Sequence, residues 1–160
     1  MRARSAASVA LASLVLAGTT ACTFLTPQAT LEPYDPSDGF GATIGNLEVR
    51  NAIIVSEDGQ TGNLVVVLAN GTDRSMDVKL QWENADGDKV DQRVHLNADS
   101  IKNLGEDQQV VLTDIDTQPG ALFPVFIQYG SETGKQLNVP VLDGTLPEYQ
   151  GLLPEAPEAE

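Results

Sequence analysis

Strict alternation of apolar and polar residues is the feature that most constrains the fold of this chain. From Met76 to Glu83 every second residue is apolar and the residues between them are polar. An extended strand points successive side chains to opposite faces, so this segment would turn one face to a core and the other to water. A helix would scatter the same residues around its axis. The segment therefore predicts a β-strand with Trp82 on the core side.

Short apolar segments of similar length recur along the middle of the chain. Leu64–Ala69 is apolar at every position, as expected for a strand that is covered on both faces or placed centrally in a sandwich. Further segments lie at 44–55, 90–96, 110–115, 123–129 and 137–142. Clusters of Gly, Asn, Asp and Pro separate them, and these residues suit tight hairpin turns. Without a long amphipathic helix, about seven such strands predict an all-β fold, a single antiparallel β-sandwich of the immunoglobulin-like kind.

Three finer features of the strand pattern lead to expectations. Pro124 and Pro140 cannot donate to a strand ladder, so their strands should be edges or contain a bulge. Residues 99–104 could form a short helical turn. The segment 123–129 is apolar on both faces, so either it is central, or Phe126 contributes to an exposed patch that another protein covers. Burial of Phe126 is the preferred interpretation.

The N-terminus has the order of an export signal that ends at the single cysteine of the chain. Arg2 and Arg4 precede an apolar run at 6–17, and small uncharged residues at 18–21 precede Cys22. The run is shorter than the ~20 residues of a membrane-spanning helix. We therefore predict a lipoprotein signal peptide, with diacylglycerol on the Cys22 thiol and fatty acyl chains such as palmitate as the anchor. Ordinary secretion, with cleavage after a small-x-small site, is the alternative.

Composition divides the chain into four parts. Residues 1–21 are the predicted signal peptide, and residues 22–42 are the lipidated cysteine followed by a Pro-, Asp- and Gly-rich flexible linker. Residues 43–145 are the predicted β-sandwich domain, a common size for a single core. Residues 146–160 combine Pro, Glu and Ala and predict a disordered acidic tail. The predicted location is the outer face of the cell membrane, outside the cytoplasm.

Charge limits the classes of partner. The chain has 23 acidic and 9 basic residues and a formal charge of −14. Removing Arg2 and Arg4 with the signal leaves 7 basic residues, which makes the mature charge −16. A surface this negative repels phosphate backbones and anionic head groups. We therefore expect no nucleic-acid partner, and contact with the membrane through the N-terminal lipid alone.

A cluster of acidic residues around Gly87 suggests calcium but lacks the required spacing. An EF-hand loop centred there would need an acidic residue at Trp82 and a bidentate glutamate at Arg93. Aligning Gly39 to the same place would make Pro36 a ligand, so that alignment fails as well. An Asp-rich hairpin turn is the preferred interpretation, with weak surface binding of calcium as the alternative.

Candidate catalytic residues are few. The single histidine, His95, shares strand parity with Asp91 and Arg93 and should face solvent. The chain has no G-x-S-x-G motif, and an acylated Cys22 is no nucleophile. Trp82 lies on the apolar stripe, where a core role is commoner than sugar stacking. We predict that the protein is not an enzyme and has no catalytic residue, although a pair of carboxylates brought together in space stays an alternative.

Three segments resemble a known family. IGNLEVRNA at 44–52, GNLVVVLANG at 62–71 and GKQLNVPV at 134–141 are similar to the lipoprotein branch of the periplasmic-type copper chaperone (PCu(A)C-like) superfamily in actinobacteria. The resemblance implies a cupredoxin-like or immunoglobulin-like sandwich anchored outside the cell. For the copper-binding members it implies delivery of Cu(I) to a respiratory oxidase.

The copper site of that family does not carry over to this chain. The resemblance implies histidine and methionine ligands, which suit Cu(I). After signal cleavage only Met76 and His95 remain, on opposite faces of the predicted sheet. We therefore expect no metal ligand and no cofactor. The preferred function is a non-enzymatic accessory or protein-interaction module of the cell envelope, beside an envelope or respiratory membrane protein. The alternative is a divergent copper- or small-ligand-binding protein linked to oxidase assembly.

Overall fold

The computed structural model describes residues 6–13, 37–106 and 108–154. Residues 6–13 form an exposed helix, α1, within the predicted signal peptide. The rest of that segment, Cys22, the linker up to residue 36 and the tail from residue 155 lie outside the described residues. No helix in the described ranges is both long enough and apolar enough to cross a membrane.

Nine strands and one short helix make up the described domain. They are β1 Phe40–Ile44, β2 Leu47–Val55, β3 Gly62–Asn70, β4 Met76–Glu83, β5 Lys89–Leu96, β6 Ile101–Leu104, β7 Val111–Leu112, β8 Leu122–Tyr129, β9 Lys135–Leu142 and α2 Pro147–Gln150. The prediction of an all-β sandwich is confirmed. The strand count exceeds the expected seven or so because β1 and β6 were not expected as separate strands, whereas the expected segment at 110–115 contains β7.

The strands form one curled sheet that folds over into two layers. Its order is β5-β4-β8-β9-β2-β3-β6, with β1 paired to β2 and β7 paired to β3. We call the layer of β1, β2, β3, β6 and β7 sheet A, and the layer of β4, β5, β8 and β9 sheet B. The layers join where β2 and β9 run parallel, through Ile54–Val141 and Val55–Leu142. Every other pairing is antiparallel, so this short parallel joint is the one departure from the expected antiparallel sandwich among the described strands.

Alternation along the strands builds the core between the two sheets. In β4 the apolar residues from Met76 to Trp82 are buried and the polar ones between them are exposed or half-buried, as predicted. The indole Nε1 of Trp82 is buried without a hydrogen-bond partner. Burying a side chain such as Leu80 contributes about 1.5–3 kcal/mol. Other members of the core are Leu47, Ile54, Leu64, Leu68, Val78, Val125, Ile127 and Val139.

A C-terminal segment covers part of the outer face of sheet A. Residues 146–154, which we call the C-terminal strap, contain α2, and Tyr149 in it is buried against Ile53, Val55 and Val65. The apolar run of β3 is therefore covered on its outer face at Val65, whereas Val67 and Ala69 are half-buried, so the expected cover on both faces holds only in part. The folded chain extends past the expected boundary at residue 145, because the Leu and Tyr side chains of the strap bury apolar surface that its prolines do not prevent from packing.

Asn63 holds the strap from inside the protein. Its side chain is fully buried in β3. The Nδ2 group donates to the carbonyl oxygens of Gly105 and Leu152, both at 2.9 Å, and Oδ1 accepts from the Val110 amide at 3.2 Å. All three contacts join segments distant in sequence, so this one amide connects β3, the β6–β7 connection and the strap.

Two of the finer expectations have clear outcomes. Pro124 lies in β8 beyond the last residue paired to β4, Phe126, and Pro140 lies in β9 before the parallel joint to β2 begins. β8 and β9 are interior strands paired in continuous register, so the expectation of edge strands or bulges is wrong; each proline is accommodated because it lacks a ladder partner on one side. The expected helical turn at 99–104 is wrong, since Ile101–Leu104 forms β6 and pairs with β3. Pairing with a distant strand overrides the local sequence signal there.

The contribution of Tyr149 to the stability of the protein depends on pH in the alkaline range. Its hydroxyl donates to Asp38, and this hydrogen bond, together with burial and nearby negative charge, raises the pKa of Tyr149 from 10.0 to about 12. The pKa of Tyr149 is higher in the folded protein than in the unfolded chain, so the protonated phenol stabilises the folded state. This stabilisation is fully present below pH 10 and is lost as the pH rises through 12.

We expect Tyr149→Phe to lower the free energy of unfolding by about 1 kcal/mol at pH 7, because Asp38 is exposed and water can replace the lost donor. Urea unfolding of both proteins measures the difference as a function of pH. The difference should shrink between pH 10 and pH 12, where the wild-type phenol ionises. A difference that stayed constant through this range would contradict the role of the Tyr149–Asp38 hydrogen bond.

Candidate functional site

The outer face of sheet B is the large sheet surface that the described residues leave open. The side chains on it come from alternate positions of its four strands, and none of them is buried. The strap covers only the part of sheet A around Ile53, Val55 and Val65, and Ile101 and Val111 of that sheet stay exposed. The open face consists of Asp77, Lys79, Gln81, Glu83, Lys89, Asp91, Arg93, His95, Leu122, Pro124, Phe126, Gln128, Gln136, Asn138 and Pro140.

The half of this face formed by β4 and β5 is charged. His95 Nδ1 lies 2.8 Å from Asp77 Oδ1, and Lys79 Nζ lies 3.8 Å from Asp91 Oδ2. Exposed pairs of this kind contribute about 0–1 kcal/mol each. Acidic and basic residues are equal in number here, Asp77, Glu83 and Asp91 against Lys79, Lys89 and Arg93. This region is therefore close to neutral on a strongly acidic domain.

The half formed by β8 and β9 carries apolar side chains and uncharged polar side chains. Leu122 is 53% exposed and Pro124 is exposed beside it, whereas Phe126 is half-buried. The Phe126 ring lies on Gly134, where a Cβ atom would be 2.3 Å from the ring Cζ. Phe126 thus points outward, and the expectation that it is buried holds only in part. The requirement for glycine at 134 is a contact that the sequence did not reveal.

Two shallow depressions mark the open face. One, of about 290 Å³, lies around Glu83, Lys89 and Phe126, and the other, of about 370 Å³, lies around Asp77 and Arg93. Both volumes lie near the lower end of the roughly 300–1,000 Å³ usual for small-molecule pockets. The first hollow borders Pro124 and Phe126, and the second is lined mainly by charged and polar side chains. Open hollows of this kind suit contact with another surface better than enclosure of a ligand.

Met76 and His95, the two residues whose types would suit Cu(I), do not meet. Met76 is buried in the core, and His95 is exposed on the other face of the same sheet, where it contacts Asp77. The geometry expected for these two residues from strand parity is confirmed. Within residues 6–13, 37–106 and 108–154, no group of three or more His, Cys, Asp or Glu side chains is placed to hold a metal ion.

The acidic turn around Gly87 is a hairpin, as predicted. Asn84 Oδ1 accepts a hydrogen bond from the Asp88 amide at 2.7 Å. The Asn84 amide donates to the Asp88 carbonyl oxygen, and the Asn84 carbonyl oxygen accepts from the Gly87 amide, both at 3.0 Å. Gly87 has a φ of 84°, which favours glycine. The Asn84 side-chain oxygen is thus used to close the turn.

Asp58 has a similar structural role in the β2–β3 turn. Its Oδ1 accepts from the amides of Gln60 at 2.8 Å and Thr61 at 3.0 Å. The hydrogen bond from the Thr61 amide, and next the one from the Gln60 amide, lower the pKa of the Asp58 carboxyl because they stabilise its charged form. The perturbed carboxylate is explained by its turn, and no second carboxylate takes part in it.

Comparison with known proteins adds no family to this geometry. No protein-family model matches the chain, and no curated protein matches it. The resemblance of segments 44–52, 62–71 and 134–141 to the copper chaperone superfamily therefore stays a prediction. Cys22, the predicted lipidation site, lies outside the described residues. The functional argument then depends on the open face of sheet B.

Proposed function

We propose that the protein is a lipid-anchored, non-enzymatic interaction module of the cell envelope. In this proposal, lipid on Cys22 holds the domain at the outer face of the membrane, and the open face of sheet B contacts an envelope or respiratory membrane protein. The linker from residue 23 to 36 supplies reach, since a Pro-rich chain extends by about 3.1 Å per residue. The anchor thereby places the domain beside membrane proteins.

One observation carries the proposal, namely the contrast between the two outer faces of the sandwich. On sheet A, the apolar side chains of Ile53, Val55 and Val65 are covered by the strap. On sheet B, Leu122, Pro124 and Phe126 follow one another along β8, and the first two are exposed while Phe126 is half-buried. Sheet A also has exposed apolar side chains, Ile101 and Val111, but they lie on two separate strands, β6 and β7. The apolar line along the single strand β8 is therefore the better candidate for a partner protein.

The chemistry of the open face indicates the kind of partner. Apolar contact at Leu122 and Phe126 would form the centre, and the charged half on β4 and β5 would form a polar rim. Equal numbers of acidic and basic residues on this face reduce the repulsion that a mature protein of charge −16 would otherwise impose on an acidic partner. A folded protein with an apolar patch bordered by mixed charge fits this surface.

We expect Leu122→Asp to reduce recovery of partner proteins at least about tenfold, because it places an unpaired charge where an apolar side chain would be buried. The test is affinity isolation of the tagged full-length protein from solubilised membranes of its native host. Val111→Asp is the matched control, since Val111 is an exposed apolar residue of sheet A.

The proposal requires that wild type and Val111→Asp recover the same membrane proteins and that Leu122→Asp does not. If the wild-type protein repeatedly comes away alone, or if Leu122→Asp recovers the same proteins in the same amounts, the proposal is wrong. Circular dichroism of the three proteins checks that each one is folded.

A further inference from the structure

The outer edge of β5 is open. β5 is the end strand of the sheet order, and its ladder partner is β4 on one side only. Within the described residues, no strand pairs with its other edge. Such an edge presents a row of unpaired backbone N–H and C=O groups, which can pair with another strand. At eight residues, β5 is twice as long as β6, the strand at the opposite end of the order.

The outward-facing residues of β5 form a self-complementary pattern. They are Lys89, Asp91, Arg93 and His95, with Gln92 at the centre of the strand on the opposite face. If a second β5 runs antiparallel and pairs Gln92 with Gln92, then Asp91 of each copy lies opposite Arg93 of the other. Directly opposite pairs of unlike charge stabilise a sheet, and like pairs destabilise it.

Other registers of the same two strands are less favourable. Centring the pair on Asp91 or on Arg93 places two like charges opposite each other. Centring it on Val90 or Val94 shortens the overlap of the strands. A shift by one residue would join the outer face of one copy to the core face of the other. Pairing about Gln92 is therefore the long register with favourable charge contacts.

We propose that two copies of this chain associate through antiparallel pairing of their β5 edges, centred on Gln92. Two sheets B then form one continuous sheet of eight strands, with both open faces on the same side. Val90 of each copy lies opposite Val94 of the other on the core side, which extends the apolar surface across the joint.

The charged groups that this pairing needs are free to make it. Arg93 forms no ion pair within the described residues, although Lys79 lies opposite it on β4. Asp91 contacts Lys79 and accepts a hydrogen bond from Gln81 Nε2 at 2.5 Å. A carboxylate has about four acceptor positions, so Asp91 retains capacity for a second arginine. This association does not depend on the proposed partner protein.

The first test is disulfide trapping in membranes from cells that make the full-length protein. Paired residues of antiparallel strands have Cα atoms about 4.5–5.5 Å apart, within the range of a disulfide bond. With a mild oxidant, we expect Gln92→Cys to form a covalent dimer on non-reducing gels. Gln136→Cys on β9, far from the edge, should give the background seen with wild type, whose only cysteine is Cys22. Equal dimer from Gln92→Cys and Gln136→Cys would overturn the proposal.

The second test reverses the charges on the Gln92→Cys background. Arg93→Asp places Asp91 opposite an aspartate in both pairs, so we expect about tenfold less dimer. Folding should be retained, because an aspartate at this position faces Lys79. Adding Asp91→Arg restores unlike pairs and should restore the dimer. Lys135→Asp makes the same change of charge on β9 and should have no effect. Equal loss of dimer from Lys135→Asp and Arg93→Asp would contradict the register. Failure of Asp91→Arg to restore the dimer in the Arg93→Asp variant would contradict it as well.

Discussion

Replacing Asn63 with alanine is expected to lower the free energy of unfolding by about 3 kcal/mol. The change removes three hydrogen bonds, each with a net contribution of about 0.5–1.5 kcal/mol. It also leaves the buried amide of Val110 and the carbonyl oxygen of Gly105 without their side-chain partner. Such unsatisfied groups account for losses larger than the typical effect of a single mutation.

Urea unfolding of Asn63→Ala and wild type measures this loss. Asn138→Ala is the matched control, because Asn138 is an exposed asparagine of β9 whose contact to Gln136 is long, at 3.4 Å. We expect the control to change stability by no more than about 0.5 kcal/mol. Asn63→Ala should also expose the strap to protease, since it loses the bond to Leu152. A loss below about 1 kcal/mol would contradict the role assigned to Asn63.

Replacing Cys22 with alanine is expected to move the protein from the membrane fraction to the soluble fraction almost completely. Each acyl chain contributes about 0.8 kcal/mol per buried methylene, and two or more chains give stable anchoring. The mature protein has no compensating attraction, because its charge of −16 is repelled by anionic head groups.

Fractionation of cells and immunoblotting measure the Cys22→Ala effect. Thr23→Ala, the neighbouring substitution, preserves the acylated thiol and should leave the protein in the membrane fraction. Mass spectrometry of the wild-type N-terminal peptide should find an acylated cysteine. A Cys22→Ala protein that stays with the membrane, or an unmodified Cys22 in wild type, would rule out the predicted lipid anchor.

Much of the fold follows from local pattern. Alternation in Met76–Glu83 identifies both β4 and its buried face, because strand geometry fixes the direction of each side chain. The uniform apolar run at 64–69 identifies a strand, β3, that lies inside the sheet order and is buried at four of these six positions. The turn around Gly87 follows from residues that tolerate positive φ.

The features that the sequence did not reveal depend on contacts between distant segments. Nothing local in 99–104 indicates a strand, since β6 exists through its ladder with Val66–Ala69. The strap resembles a disordered tail in composition, yet it binds apolar residues of β2 and β3 that the sequence alone does not place together. The parallel joint of β2 and β9 depends on the curl of the whole sheet.

Only part of the candidate site was predicted, because the rest also depends on contacts between distant segments. Parity correctly separated Met76 from His95 and placed His95 outward. The outward position of Phe126 was left as one of two alternatives, because it depends on which neighbours flank β8 and on Gly134 beneath the ring. The sequence does not show which sheet surface stays open, because that depends on where the strap packs on sheet A.

Site-specific photo-crosslinking in living cells tests the central claim most directly. A photoreactive residue at position 122, in the apolar line of the open face, should form an adduct with a membrane protein of the envelope. The same residue at position 111, an exposed apolar position on sheet A, should not form it. An adduct of constant mass from position 122 alone is the expected result. No adduct from position 122, or the same adduct from both positions, would contradict the account.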